Sequence, residues 1–272
     1  MKRLIYTGLA VFAFAACSNP ASTTNSEASE EKPAMETQAE EGTETQAETM
    51  ARTLADHSIW NDLLQKHVSD AGNVNYKGIQ DDQARFEEYL EELRNHPPME
   101  DWEAGDIKAY WINAYNAFTV ELILRNYPVK SITDIKDGDN DAWNIPFIEL
   151  NGREPMTLNA IEKGILLKEY DEPRIHFAVV CASFSCPKLL NQAFTSDQLE
   201  DQLVAQTKAF LADTKRNQIA ADQLEISQIF EWYTGDFTKQ GTLIEFLNQY
   251  APVTINADAQ LGYMNYDWSL NE

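Results

Sequence analysis

The chain has 272 residues, of which 43% are hydrophobic, and a formal net charge of −23 at pH 7. So negative a chain argues against nucleic acid and anionic lipid headgroups as partners, because both would repel it. Residues 51–272 are long enough to enclose one large hydrophobic core, and no linker or internal repeat divides them.

Residues 1–17 have the pattern of a bacterial lipoprotein signal peptide. Two basic residues precede an apolar run over residues 4–16, which is too short for a stable membrane span and ends in small residues before Cys17. The sequence FAAC at residues 14–17 resembles a lipobox, although Phe14 stands where leucine is usual. We therefore expect Cys17 to be acylated and to anchor the protein in the cell envelope. The alternatives are an ordinary signal peptide or a buried apolar N-terminus.

Residues 18–50 are predicted to form a disordered acidic spacer. They contain eight Glu against one Lys, no aromatic residue, and no aliphatic side chain larger than alanine apart from two methionines. Such a composition cannot bury enough apolar surface to fold, and its charges repel one another. We expect this spacer to hold a globular domain, residues 51–272, away from the membrane.

The globular part alternates helix and strand patterns around one long helix. Apolar side chains cover well over half the circumference of residues 102–127, so this helix is expected to be central and mostly buried. Hairpins, and the lack of a Gly-rich phosphate loop after a strand, favour a single mixed α+β domain over a nucleotide-binding parallel sheet. The other predicted elements are a helix around residues 86–93, a hairpin over 147–157 with a type I′ turn at Asn151-Gly152, a helix over 158–169, a strand over 175–181, a helix over 197–212 with a capping box at Thr195, a strand over 223–227, a short helix at 230–232, a helix over 242–250 and a strand over 253–256.

Thiol chemistry in this domain must use Cys181 and Cys186, because Cys17 is the remaining cysteine of the chain. If residues 175–181 form a strand, His176 and Cys181 point to opposite faces and lie roughly 16 Å apart, too far for a base and its nucleophile. Cys186 follows a turn-forming segment and can fold back towards His176. We therefore nominate Cys186 as nucleophile, His176 as base and Asp236 as the acid that would orient this histidine.

Two other arrangements of the cysteines stay open. A disulfide between Cys181 and Cys186 is common for cysteines at this spacing in an exported protein, and two unlinked buried thiols are the third alternative. The two cysteines and His176 lack the close-paired spacing of a zinc site, so we predict no metal and no cofactor.

Two polar residues stand out within the long helix. Asn113 and Asn116 lie three positions apart beside Trp111, and asparagine is unfavourable in a helix interior unless its amide is hydrogen-bonded. They indicate either a polar network that fixes the core or the wall of a binding pocket. Trp232 belongs to a later aromatic cluster that is typical of a core but can also hold a ligand.

Four motifs carry a resemblance to a known family. They are YWINAYNAF at residues 110–118, RIHFA followed by CASFSCP within residues 174–187, WY with a following DF at residues 232–237, and YDWSLN at residues 266–271. Together, from about residue 74 to the C-terminus, they resemble the domain of unknown function family 547. The resemblance implies a papain-like or transglutaminase-like arrangement, in which the central helix would carry the nucleophilic cysteine. The long helix here contains no cysteine.

Two functions follow as expectations. The first is a lipid-anchored binding or scaffolding module of the bacterial cell envelope, with a membrane anchor and an envelope protein or small ligand as partner. Its pocket would be built around Asn113, Asn116 and His176, with Trp111 and Trp232 as further binding residues. The alternative is a thiol hydrolase or acyltransferase that acts on peptides or envelope material through Cys186 and His176.

Overall fold

A computed structural model describes residues 53–272 of the chain. The predicted lipoprotein signal with Cys17 and almost all of the predicted acidic spacer lie outside the described residues. Within them, helices and short strands combine in a mixed α+β domain, which confirms the predicted fold class. No helix among the described residues is long and apolar enough to cross a membrane.

The predicted central helix is present as α4, Ala104–Asn126. Every residue from 109 to 123 is buried, so neighbouring elements cover this helix on all sides. Asp106 lies in its first turn and Arg125 in its last turn, where each charge suits the helix dipole. The helices that precede it are α1 Ser58–His67, α2 Tyr76–Asp81 and α3 Gln83–Asn95.

The predicted helix over residues 158–169 is interrupted by a wider turn. It consists of α5 Leu158–Ile161, a π-helical turn Glu162–Leu166 and α6 Leu167–Glu169. Thr157 caps its start by accepting a hydrogen bond from the Ala160 amide. Single π-helical turns occur often at functional sites, because they redirect one side chain of the helix.

The remaining predicted helices are also present. They are α7 Leu199–Ala212, α8 Ile229–Trp232 and α10 Leu243–Asn248. A further short helix, α9 Thr234–Phe237, was not predicted. The capping box expected at Thr195 is wrong, since α7 has Gln198 as its N-cap and no side-chain capping bond. A capping box is found instead at Thr242 and Glu245, before α10.

Two small sheets lie within the described residues. Strand β1, Lys136–Asp137, pairs antiparallel with β2, Asn140–Asp141. In the other sheet β4, Gln223–Ser227, lies between β3, Gln218–Ile219, and β5, Gln260–Met264. Strand β5 runs parallel to β4, whereas β3 is antiparallel to it.

The predicted strand over residues 175–181 is wrong. A 3-10 helix, Pro173–Phe177, occupies its first part, and Glu172 caps this helix by accepting from the Arg174 amide. Beyond it, the backbone at residues 178–180 bonds to the side chain of Asn116 instead of to a neighbouring strand. A distant side chain thus takes the hydrogen bonds that a sheet would have used.

Two further strand predictions fail for related reasons. The backbone of Ile255 forms both of its hydrogen bonds with the Asn248 amide, so residues 253–256 are not a strand. At residues 147–157 the chain does reverse, with a bridge between Ile148 and Met156. Only Gly152 of the turn pair has a positive φ, of 74°, so the turn is not type I′.

The hydrophobic core has two parts. The larger surrounds α4, and the smaller contains aromatic residues of α7, α8, α9 and α10. The 3-10 helix Pro173–Phe177 joins them, because Ile175 packs in the larger cluster and Phe177 in the smaller. His176 lies between these two residues and is 4% exposed.

Candidate functional site

A cavity of about 230 Å³ contains both cysteines of the domain. Its lining combines thiols, titratable groups and large aromatic rings: Tyr115, Asp141, Trp143, Asn159, Glu162, Lys163, His176, Val179, Cys181, Cys186, Ile229, Trp232, Tyr233, Tyr266 and Trp268. A wider depression of about 800 Å³ beside His67 and Tyr127 is more voluminous. We regard the smaller cavity as the candidate site because it concentrates reactive and aromatic groups.

The two cysteines are free thiols in direct contact. Their Sγ atoms lie 3.2 Å apart, which exceeds the bond length of a disulfide, about 2.05 Å. The predicted disulfide is therefore absent from this structure. The Cys181 amide donates a hydrogen bond to Cys186 Sγ at 3.1 Å, so the five-residue separation closes into a tight loop.

The loop between the cysteines is held in a strained conformation. Ala182 has φ of 60°, a left-handed value that is uncommon for a residue with a Cβ. The C-terminal segment holds the loop from one side: the Phe184 amide donates to the Ser269 carbonyl at 2.7 Å, and the Asn271 amide donates to the Ala182 carbonyl at 3.1 Å. The contacts of a distant segment thus fix this geometry.

Arg216 holds the same loop from another direction. Its guanidinium donates to the carbonyls of Cys186 and Phe184, and its Cζ lies 5.1 Å from the centre of the Phe184 ring. Asp213 pairs with the guanidinium and orients it. The cysteine loop is therefore clamped on both sides, which keeps the two sulfur atoms in contact.

The two thiols differ in acidity. The hydrogen bond with Cys186 lowers the pKa of Cys181 to about 7, with help from Ser183 and Tyr266 and against the effect of burial. Ser183 Oγ and Tyr266 Oη lie 3.1 and 3.4 Å from Cys181 Sγ. Burial, followed by the influence of Cys181, raises the pKa of Cys186 well above its usual range. Cys181 is thus the thiol that ionises near neutral pH, and Cys186 then donates to it.

This order of acidity favours Cys181 as a nucleophile over Cys186, the residue nominated from the sequence. A thiolate, not a thiol, attacks an electrophile. Cys181 is partly exposed to the cavity, whereas Cys186 is 4% exposed. Both the charge and the access favour Cys181.

His176 is paired with the acid that the sequence nominated. Its Nε2 lies 2.9 Å from Asp236 Oδ2, and this hydrogen bond lowers the pKa of Asp236. Because a carboxylate only accepts, Nε2 is the donor in this hydrogen bond. The imidazole packs against Tyr233 with ring centres 4.1 Å apart. Among the described residues, His176 makes no hydrogen bond to either thiol.

Glu162 is a buried carboxyl on the cavity wall. It lies in the π-helical turn and accepts hydrogen bonds from Tyr115 and Tyr233, each at 3.0 Å. Burial, together with the nearby carboxylate, raises the pKa of both tyrosines. Glu162 thereby links the central helix to the ring that packs on His176. No local sequence pattern pointed to this residue.

Aromatic side chains form one wall of the cavity. Trp232 and Trp268 stack with ring centres 5.8 Å apart, and Tyr266 lies 4.9 Å from Trp232 and 4.5 Å from Trp268. Trp143 contacts Trp268 edge-on at 5.8 Å. Trp232 is 47% exposed, so this wall reaches the surface. Tyr266 belongs both to this wall and to the surroundings of Cys181.

The residues nominated on α4 lie away from this cavity. The Asn113 amide exchanges two hydrogen bonds with the backbone of Phe194, at 2.8 and 2.9 Å. The Asn116 amide donates to the Ala178 carbonyl and accepts from the Val180 amide, each at 2.9 Å. Trp111 is 2% exposed, and none of the three lines the cavity. The two asparagines fasten loops to the central helix.

No group of three or more histidine, cysteine, aspartate or glutamate side chains that could hold a metal ion occurs in residues 53–272. The cavity also lacks a strand followed by a Gly-rich turn, which nucleotide cofactors use.

Fold and site together define an α+β domain with a clamped thiol pair in an aromatic-walled cavity. Residues 99–211 match the family described as "Protein of unknown function, DUF547", which supports the resemblance over that segment. The match includes α4 and both cysteines but ends before Trp232, Asp236 and Tyr266. No curated protein and no solved structure matches the chain. The papain-like or transglutaminase-like arrangement therefore stays a prediction.

Proposed function

We propose that this protein is a lipid-anchored binding module of the bacterial cell envelope, and that its ligand occupies the cavity beside Cys181. The aromatic wall carries the proposal. Large aromatic side chains are usually buried, yet Trp232 is 47% exposed while it stacks on Trp268 and Tyr266. Exposed aromatic faces beside a cavity favour ligand binding, because a ligand would remove their apolar surface from water.

Polar groups around the cavity suggest the chemistry of the ligand. Asp141 and Lys163 are exposed groups of opposite charge on the lining. The Asn159 side-chain oxygen is buried without a hydrogen-bond partner in the described residues, which makes it an acceptor still available to a ligand. A small ligand with an apolar face and several hydrogen-bonding groups fits this lining. Fragments of the cell wall that carry sugar rings and a short peptide have that chemistry.

The location of the protein is part of the proposal and rests on residues 1–50. A basic, apolar and small-residue sequence ends at Cys17, and an acidic spacer follows. Cell fractionation tests this: the wild type is expected with membranes, and Cys17→Ser is expected to be soluble or unprocessed. Mass spectrometry that finds an unmodified peptide spanning Ala16 and Cys17 in the mature protein would exclude the anchor.

Titration calorimetry with purified muropeptides tests the ligand site. Trp232→Ala should weaken binding by about tenfold or more, since a stacked aromatic contact contributes on the order of 1.4 kcal/mol. Leu261→Ala is the matched control, because Leu261 is 42% exposed but does not line the cavity. Equal affinity in the wild type and in Trp232→Ala would show that the aromatic wall does not bind the ligand. If the wild type gives no heat of binding with muropeptides, this class of ligand is excluded.

A second candidate function is a thiol hydrolase or acyltransferase that acts on peptides or envelope material. The observation that favours it is that His176, which is paired with Asp236, lines the same cavity as the two thiols. In this candidate the nucleophile is Cys181 rather than Cys186, because the surroundings of Cys181 lower its pKa to about 7.

An activated ester tests this second candidate. An acyl adduct on Cys181 that forms in the wild type and is lost in His176→Gln, with an unchanged melting temperature, would support it. Lower stability in His176→Gln, in a protein whose wild type forms no adduct, would end the hydrolase hypothesis and leave His176 with a structural role.

A further inference from the structure

We propose that Cys181 and Cys186 form a thiol–disulfide exchange site, in which Cys181 attacks a substrate disulfide and Cys186 resolves the mixed disulfide. This activity is distinct from ligand binding at the aromatic wall and from acyl transfer. Its substrate class is any disulfide that reaches the cavity, whether a low-molecular-weight disulfide or a bridge in a short peptide.

The first argument is the contact between the sulfur atoms. At 3.2 Å they need to approach by only about 1.1 Å to reach disulfide length, and both Cβ atoms belong to one short loop. The Ser269, Asn271 and Arg216 contacts hold the backbone of this loop. The resolving thiol is therefore already in place when the first thiol reacts, which makes the second step effectively intramolecular.

The second argument is the difference between an outer and an inner thiol. Both cysteines line the cavity, but Cys181 is partly exposed whereas Cys186 is 4% exposed. A substrate disulfide that enters the cavity meets Cys181 first. The lowered pKa of Cys181 and the raised pKa of Cys186 give the same order of reaction. The attacking thiol must be ionised, whereas the resolving thiol stays protonated until the mixed disulfide has formed.

The third argument is the set of groups around Cys181 Sγ. The hydroxyls of Ser183 and Tyr266 and the thiol of Cys186 surround it within 3.4 Å, so a thiolate there can accept hydrogen bonds. His176 is not bonded to either thiol, and the exchange does not require it. Acyl transfer, in contrast, would need a base at the nucleophile.

The two steps balance in atoms and electrons. The Cys181 thiolate attacks one sulfur of R–S–S–R′, so that a Cys181–S–S–R bond forms, the original S–S bond breaks and R′S⁻ leaves. Cys186 then loses its proton and attacks the sulfur of Cys181, which forms the Cys181–Cys186 disulfide and releases RS⁻. Two cysteine thiols are oxidised, the substrate disulfide is reduced, and the two protons of the dithiol end on RSH and R′SH.

The experiment uses full-length protein with Cys17→Ser, which leaves Cys181 and Cys186 as its cysteines. The protein is reduced, freed of reductant and incubated with oxidised glutathione at pH 7, and a short cystine-bridged peptide is used in a parallel series. Mass spectrometry of the unreduced protein reports the products. The wild-type protein should lose the mass of two hydrogen atoms and retain no adduct, with one equivalent of substrate disulfide reduced.

The variants separate the two roles. Cys186→Ser should trap one mixed disulfide on Cys181, whereas Cys181→Ser should react at least tenfold more slowly at Cys186. Reaction with glutathione alone would assign a small disulfide as substrate, and reaction with the peptide alone a peptide bridge. Reaction with both would support exchange with either source. Melting temperatures close to that of the parent show that both variants fold, and Cys186→Ala replaces Cys186→Ser if the serine variant does not.

Three results would overturn the proposal. They are a wild-type pair that stays fully reduced, equal trapping on Cys186 and Cys181, and an internal disulfide that forms without reduction of the substrate. These readouts do not depend on muropeptide affinity, so failure of ligand binding and failure of disulfide exchange can be told apart.

Discussion

The buried asparagines of α4 and the two cysteines of the 181–186 loop use their polar groups in different ways. Asn113 and Asn116 direct both atoms of each amide to the backbone of another segment. The thiols of Cys181 and Cys186 contact each other, nearby hydroxyl groups and an open cavity. An asparagine of the first region cannot be replaced without leaving backbone groups unsatisfied. A thiol of the second region can react while the backbone around it stays bonded.

The asparagines of α4 therefore contribute mainly to stability, and the cysteines of the 181–186 loop to reactivity. The two regions meet in the fold, because Asn116 holds the backbone at residues 178–180, directly before Cys181. The central helix therefore supports the site through Asn116 and also contributes Tyr115 to the cavity lining. Substitutions in the two regions should separate these roles.

Asn116→Ala should lower the free energy of unfolding by about 3 kcal/mol. It leaves the Ala178 carbonyl and the Val180 amide without partners, and each unsatisfied buried group costs about 1–3 kcal/mol. Urea denaturation measures the effect. Asn126→Ala is the control, since Asn126 is exposed on the same helix and should change stability by less than about 0.5 kcal/mol. Similar values for both variants would contradict the structural role of Asn116.

Arg216→Ala should lower stability by about 2 kcal/mol and also reduce the reactivity of Cys181. The guanidinium bonds to two carbonyls of the cysteine loop, and its loss frees the loop to move. The neighbouring Lys215→Ala is the control, because Lys215 is exposed and lies 6.0 Å from the Phe184 ring centre without a hydrogen bond to the loop. Unchanged alkylation of Cys181 in Arg216→Ala would show that the clamp from the C-terminal segment is sufficient.

Cys181→Ser should change stability by less than about 1 kcal/mol near pH 7, but it should remove the thiol that iodoacetamide modifies. In the Cys17→Ser background, alkylation of Cys181 should rise with pH around a midpoint of about 7, because only the thiolate reacts. A midpoint near 8.5, the value of an unperturbed cysteine, would contradict the assigned acidity.

The same thiol has a consequence for stability as a function of pH. The folded pKa of Cys181, about 7, lies below that of an unfolded cysteine, so the folded state binds fewer protons between the two values. The stabilising contribution is complete above the unfolded pKa and is lost as the pH falls through 7. Thermal unfolding of the wild type and Cys181→Ser between pH 6 and pH 8.5 should show a difference that grows with pH. A difference in stability between the two proteins that does not change with pH would contradict the lowered pKa of Cys181.

Tyr266→Phe should have the smallest effect, about 0.5 kcal/mol or less on stability, because Tyr266 is partly exposed and keeps its ring contacts. It removes one hydroxyl from Cys181, so the midpoint of alkylation should rise by less than about one pH unit. Tyr263→Phe on β5 serves as the control and should leave the midpoint unchanged. A lower midpoint in Tyr266→Phe would reverse the role given to this hydroxyl.

Local patterns were sufficient for the two longest helices, α4 and α7, but α1, α2 and α9 were not predicted. The apolar spacing of residues 102–127 and the proline after it predicted α4, and comparable patterns predicted α7 and strand β4. These elements form because their own side chains and neighbours in sequence favour them. Strand β5 was missed, because its hydrogen bonds come from the parallel neighbour β4.

The sequence by itself determined that Cys181 and Cys186 are the thiols of the domain, and it nominated His176, Asp236 and Trp232. Only the tertiary structure decided how they are arranged. The Asn116 amide replaces a predicted strand by a bent segment, which allows His176 and both cysteines to line one cavity. The acidity of Cys181 depends in part on Tyr266, 85 positions further along the chain. Helices are set by contacts between near neighbours in sequence, whereas a pKa and a cavity are set by groups that only folding brings together.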